Sequence, residues 1–137
     1  MITPKEIVFT PIQIKVLTEH SKKNSPDESC AILFGKTEND IATIKDIFFA
    51  ENIEKSPVNF TISNDELISA YSQAEKKNLD VSGIFHSHPA SAPYPSSTDK
   101  KYMEINPVPW VIFSNMEEKF MAYIYNSGIL QIPLKIS

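Results

Sequence analysis

The residues of this chain best suited to chemistry fall in one fourteen-residue window, from His86 to Asp99. Two of its three histidines stand there as His86-Ser87-His88-Pro89, followed after seven residues by Ser96 and, three further on, by Asp99. The preceding Val81 to Phe85 is apolar with one glycine and reads as a buried strand. Alternate side chains of a strand share a face, so His86 and His88 point the same way and Ser87 the other. Pro89 has no N–H to donate and ends the ladder. Ser96 suits a helix N-cap, with Asp99 in the first turn. Two imidazoles and one carboxylate with a fourth position open form the ligand set of a catalytic zinc site.

Each feature alone has an ordinary structural explanation. Most H-x-H pairs are surface or core histidines. Serine is a good cap, and aspartate in a first turn is favoured by the helix dipole. Their joint occurrence, on a strand end and a helix start able to face each other, favours a metal.

The same residues resemble the signature of the JAMM (MPN+) zinc metallopeptidases. That family also has an upstream glutamate in a P-x-E context before an apolar strand. Pro26-Asp27-Glu28 followed by Ser29-Cys30-Ala31-Ile32-Leu33-Phe34-Gly35 fits this pattern, with Ala31 where many members have glycine. The resemblance runs from Pro26 to about Tyr125. It implies one zinc per chain on His86, His88 and Asp99, and Glu28 as the general base. A metal of this kind lowers the pKa of a coordinated water towards ~7, and a nearby carboxylate can take its proton and later return it to the leaving amine. Ser96 is a candidate oxyanion donor, a role compatible with capping, the side chain doing one of the two at a time. The implied substrates are conjugates of a ubiquitin-like modifier or sulfur-carrier protein, cut after the modifier's C-terminal tail. The interval from Asp99 to Trp110 is short and leaves no room for the insertion with which eukaryotic deubiquitinases grip substrate.

Two other readings stay open: a metal-free MPN interaction scaffold, and a zinc amidohydrolase of small molecules. The usual nucleoside-deaminase signature needs H-x-E and P-C-x-x-C, and Cys30 is the only cysteine.

These residues need a scaffold. The length of 137 residues suits one domain, 1–137, with a real core. No apolar run is of membrane-spanning length, Lys5 and Glu6 interrupt any signal-peptide pattern, and a lone cysteine suits a reducing cytoplasm. All thirteen basic residues are lysine and the net charge is −4, which disfavours nucleic acid as a partner.

The pattern predicts strands at Glu6–Thr10, Glu28–Phe34, Ile41–Ala50, Asn59–Ile62, Val81–His88, Pro107–Phe113 with the prolines confined to its start, Lys119–Tyr125 and Ile129–Ile136. It predicts helices opening at Pro11, at Ser63 with a Glu66 capping box, and at Ser96. Ile12, Val16 and Leu17 form the expected apolar stripe of the first helix. Leu67, Ile68, Tyr71 and Ala74 form that of the second. His20 reads as a polar residue near a helix end. The sum is a single mixed α/β domain with one sheet and about three helices, and the family resemblance implies the same: a curved mixed sheet packed by helices, similar to the JAMM and cytidine-deaminase-like architecture.

Overall fold

The computed structural model describes residues 3–137. Strands β1 (Glu6–Phe9), β2 (Cys30–Glu38), β3 (Ile41–Ala50), β4 (Asp80–His88), β5 (Trp110–Ser114), β6 (Lys119–Tyr125), β7 (Ile129–Ile132) and β8 (Leu134–Ile136) form one sheet. Helices α1 (Pro11–Asn24), α2 (Asn64–Lys76) and α3 (Ser97–Ile105) pack on it. The strand order is β7-β6-β5-β4-β2-β3-β1-β8. The two outermost strands, β7 and β8, are separated in sequence only by Pro133, so the sheet must curl until its edges approach each other. It is mixed: β4 runs parallel to β5 and antiparallel to β2, and β1 is parallel to both β3 and β8.

The period of two along the strands sorts the core onto two faces. Ala31, Leu33, Phe85, Val111 and Phe113 join Leu17 of α1 in one buried cluster. Ile32 and Phe34 turn the other way, onto Ala70 and Ala74 of α2, while Trp110 and Ile112 meet Met103 beside α3. Full burial of side chains this large contributes about 1.5–3 kcal/mol each. His86 follows Phe85 and therefore faces the side of the sheet that carries α2 and α3.

Several expectations need correction. The β2–β3 hairpin is longer than the pattern implied. A bulge at Phe34/Gly35 lets β2 run on to Glu38, and Asn39 and Asp40 both take positive φ in a two-residue turn. Gly35 is required there, because a Cβ would lie 2.1 Å from the Thr43 carbonyl oxygen. Asn59–Ile62 is extended but is not a ladder strand. The Asn59 carbonyl accepts from the Asn52 side chain, the Thr61 N–H donates to it, and the Thr61 carbonyl accepts from Ile53 N–H. Ile129–Ile136 is two strands, because Pro133 breaks the ladder and sends β8 to β1.

The helix faces are also shifted. In α1, Leu17 is buried but Ile12 is exposed; in α2, Ala70 and Ala74 are buried while Ile68 and Tyr71 face solvent. The small alanines let α2 lie close to the sheet, which the larger apolar residues could not. The Ser63 cap forms, but Glu66 accepts from the N–H of Glu51 rather than completing the box. His20 is half-buried, bonds the Cys30 carbonyl at 3.0 Å and packs at a tilt against Phe49. Burial lowers its pKa, so it is not the cation a helix end would favour. Among the described residues no helix is long and apolar enough to cross a membrane.

Candidate metal centre and catalytic site

The site lies at the C-terminal end of β4. His88 is the last residue of that strand, and its carbonyl accepts from Asn115 N–H just beyond β5. Loop residues 89–95 are tied down at three successive carbonyls. Ser114 Oγ donates to Ser91 O, His88 Nδ1 to Ala92 O and Tyr123 Oη to the Pro93 carbonyl, at 2.7, 2.8 and 2.6 Å. The chain then enters α3 through a capping box. Ser96 Oγ accepts from Asp99 N–H at 3.0 Å, and Asp99 Oδ2 accepts from Ser96 N–H at 2.9 Å. This cap turns the Asp99 carboxylate back onto the strand end.

His86 Nε2, His88 Nε2 and Asp99 Oδ2 consequently meet at 3.1 Å along each edge of a triangle. All three residues are buried, His86 completely. The Nδ1–H of His88 is committed to Ala92 O, which leaves its Nε2 lone pair facing the triangle. The His86 ring is held by packing: Phe60 stacks on it at 4.7 Å and Trp110 meets it edge-on at 5.8 Å. Its Nδ1 has no hydrogen-bond partner among the described residues.

The electrostatics follow from this crowding. Burial works against the Asp99 carboxylate, but His86, His88 and the Ser96 N–H hold its pKa well below the usual carboxylate range. Burial lowers the pKa of His86. Burial opposes protonation of His88 too, but Asp99, Ala92 O and Glu28 raise its pKa.

Glu28 lies just ahead of β2, fixed through its backbone. Its N–H donates to Ser56 O at 2.8 Å, and its carbonyl accepts from Asn52 Nδ2 at 3.0 Å. The side chain is buried and Oε1 has no partner. Burial pushes its carboxyl up to about 8, with the charge of His88 opposing and those of Asp99 and Glu54 adding.

The residues fit a metal ion. Three potential ligand atoms converge within hydrogen-bond distance of one another, and together they form a group able to hold a cation. For zinc ligands at ~2.0–2.1 Å, the edge of a tetrahedral face is about 3.3 Å, close to the observed triangle. A neighbouring dication would also lower the Glu28 carboxyl towards the range of a working base.

All five residues singled out in the sequence thus lie in one region. His86, His88 and Asp99 converge, Ser96 joins them through its cap, and Glu28 senses the charges of His88 and Asp99. Sequence reasoning missed the supporting residues. Asn52 satisfies its whole amide with Glu28 O, Asn59 O, Glu54 N–H and Thr61 N–H. Phe60 and Trp110 bracket His86. No local pattern marks either set, since the contacts that matter to the site, Asn52 with Glu28 and the two aromatic rings with His86, join residues distant in sequence. Beyond Phe60 opens an apolar cleft of about 200 Å³, also lined by Ile62, Leu67, Ile84, Tyr102 and Trp110. Larger open grooves, of about 690 Å³ along α2 and β4 and 610 Å³ between α1 and Phe49, lie away from the triad.

The sheet, the H-x-H strand end and the capped aspartate define a JAB-type domain. The chain belongs to the family described as prokaryotic homologs of the JAB domain, whose model matches residues 12–124. It is similar to the desampylase of Pyrococcus furiosus, with 40% identity over 114 residues, covering 83% of this chain and 74% of that protein. It is similar also to the CysO-cysteine peptidase of Mycobacterium tuberculosis, with 28% identity over 64% of this chain and 59% of the relative's length. The fold is shared with a solution structure of a protein from Desulfitobacterium hafniense, at a TM-score of 0.87 and 24% identity, covering 96% of this chain and 92% of that one.

Proposed function

We propose that this protein is a zinc-dependent isopeptidase that hydrolyses the bond after the C-terminal tail of a ubiquitin-like modifier or sulfur-carrier protein. The observation that carries this reading is the convergence of His86 Nε2, His88 Nε2 and Asp99 Oδ2 beside the uncommitted carboxyl of Glu28. Kinship with a desampylase and a CysO-cysteine peptidase supports the substrate class. The proposed compartment is the cytoplasm, where the buried Cys30 thiol would stay reduced.

Zinc held by the two imidazoles and the carboxylate supplies a Lewis acid and a water nucleophile available near neutral pH. Glu28 takes the proton of the attacking water and returns it to the leaving amine nitrogen. Asp99 stays ionised under the combined pull of both histidines and the Ser96 N–H, so it balances part of the cation's charge. The Ser96 hydroxyl accepts from Asp99 N–H, and a hydroxyl that accepts still has its own proton to give. Capping and oxyanion donation are therefore compatible, and the one side chain can do both at once. The apolar cleft beside Phe60 offers a place for a side chain of the modifier's tail.

Ser96→Ala separates the two roles of that residue. It should retain zinc, lose about 1 kcal/mol of stability with the cap, and lose roughly a hundred-fold in turnover with the oxyanion donor. An unchanged rate in a zinc-loaded, slightly destabilised variant would leave Ser96 as a cap alone.

The substrate class is tested by comparing an intact conjugate of a ubiquitin-like protein with a short peptide amide of the same scissile bond. Binding energy from the body of the modifier supports the chemical step, so the truncated substrate should lose kcat as well as affinity. Equal kcat/KM on both would point to a small-molecule amidase instead.

A further inference from the structure

We propose that the buried hydroxyl pair Ser29–Ser87 positions the Glu28 carboxylate against the His86, His88 and Asp99 triad. The β2–β4 ladder ends at the pair Cys30 and His86. One step further, Ser87 N–H donates to Ser29 O at 3.0 Å, as a ladder would have it. The companion bond is made by a side chain: Ser29 N–H donates to Ser87 Oγ at 2.9 Å, and the two Oγ atoms lie 2.9 Å apart. This final rung has Glu28 directly before it on one chain and a histidine of the triad on either side of it on the other.

Ser29 and Ser87 are 1% and 0% exposed, and Ser87 points away from the triad, onto the face that carries Phe85. Hydroxyls on an apolar face are unfavourable unless they bond something that needs them. Here the group in need is the buried Ser29 N–H, which an alanine at 87 would orphan. The position of Glu28 is set through its backbone, because its Oε1 has no partner. Ser56 O and Asn52 hold residue 28 itself, and the serine pair holds residue 29 to the ligand strand. Loosening residue 29 would move Glu28 while leaving the three metal-binding atoms where they are.

This inference rests on Glu28 acting as the base, and the test keeps the two separable. In the full-length zinc-loaded protein, Ser87→Ala should keep one zinc per chain and its KM while kcat falls on the order of ten- to a hundred-fold, the scale of a misplaced catalytic group. Ser29→Ala, which leaves the Ser29 N–H bonded to Ser87 Oγ, should lose less. In a Glu28→Gln background neither substitution should lower kcat further. In metal-free protein, hydrogen exchange at the Ser29 amide should speed up in Ser87→Ala and much less in Ser29→Ala, a readout independent of activity. Wild-type kcat in folded Ser87→Ala, or an undiminished loss in the Glu28→Gln background, would overturn the proposal. If Ser87→Ala does not fold, Ser87→Cys, whose sulfur is only a weak acceptor for the Ser29 N–H, takes its place, and wild-type kcat in it overturns the proposal equally. Full activity of Glu28→Gln itself would instead remove the base assignment, and this inference with it.

Discussion

Glu28→Gln is expected to leave the protein folded and zinc-loaded, with turnover lowered a hundred-fold or more, the scale for losing a general base. Glutamine keeps the shape and a hydrogen-bonding oxygen but cannot accept a proton. Glu28 makes no hydrogen bond through Oε1 and is not one of the three convergent atoms, so the metal-binding set is untouched. Zinc loss in this variant would make Glu28 a ligand, and a wild-type rate would make it a structural acid.

The same substitution has a second signature in chelator-treated protein. A carboxyl raised from near 4.5 to about 8 contributes stability that is full below its unfolded value and is lost as pH rises through 8. His88, also raised, acts in the same direction above pH 6.5. His86, lowered by burial, acts in the opposite direction, and its contribution is lost only as pH falls below 6.5. Metal-free wild type should therefore lose stability between pH 6.5 and 8, with Glu28 contributing on the order of 1–2 kcal/mol of the loss. Glu28→Gln should show a visibly shallower slope in urea unfolding. An identical slope in both proteins would place the Glu28 carboxyl in solvent.

Replacing both His86 and His88 by alanine should abolish zinc binding and, with it, all activity. Asp99 alone is one ligand where a zinc site needs three protein ligands. Its carboxylate would then be buried, with the Ser96 N–H as its remaining charge-stabilising bond. Loss of the wholly buried His86 ring also leaves a void between Phe60 and Trp110, so the variant should melt lower than metal-free wild type. Metal analysis after dialysis against buffered zinc reads the first effect and a thermal scan the second. Full zinc occupancy in the double variant would remove this site from consideration.

The triad was legible because its determinants are local. H-x-H on a strand fixes two imidazoles on one face, and Ser96-x-x-Asp99 fixes a carboxylate at a helix start. What joins them is the loop between them, and its attachments to Ser114 and Tyr123 come from strands that follow it in sequence. Glu28 was legible only through a family resemblance, since a glutamate near a proline has no intrinsic chemistry. Its burial depends on Asn52 and on the segment around Ser56, which no short pattern reveals. The helix faces failed for a related reason. In α2 the expected Ala74 is buried, but Ala70 is weakly hydrophobic, so a reading weighted by side-chain size added Ile68 and Tyr71 in its place, whereas the sheet selected the face that allows the closest approach. The break at Pro133 was missed, because the pattern of Ile129–Ile136 reads through it and the partner of β8 is β1, more than a hundred residues earlier.

That last pairing bears on how the protein comes into being on the ribosome. Among the strands of this sheet, β1 is synthesised first, and one of its two ladder partners, Leu134–Ile136, is synthesised last. Every residue proposed to act in hydrolysis has been made by Asp99, yet one side of β1 must wait, unpaired, until the final strand emerges. Nascent chains therefore carry an open strand edge for most of their elongation, the kind of surface that invites pairing with a neighbour on the same messenger.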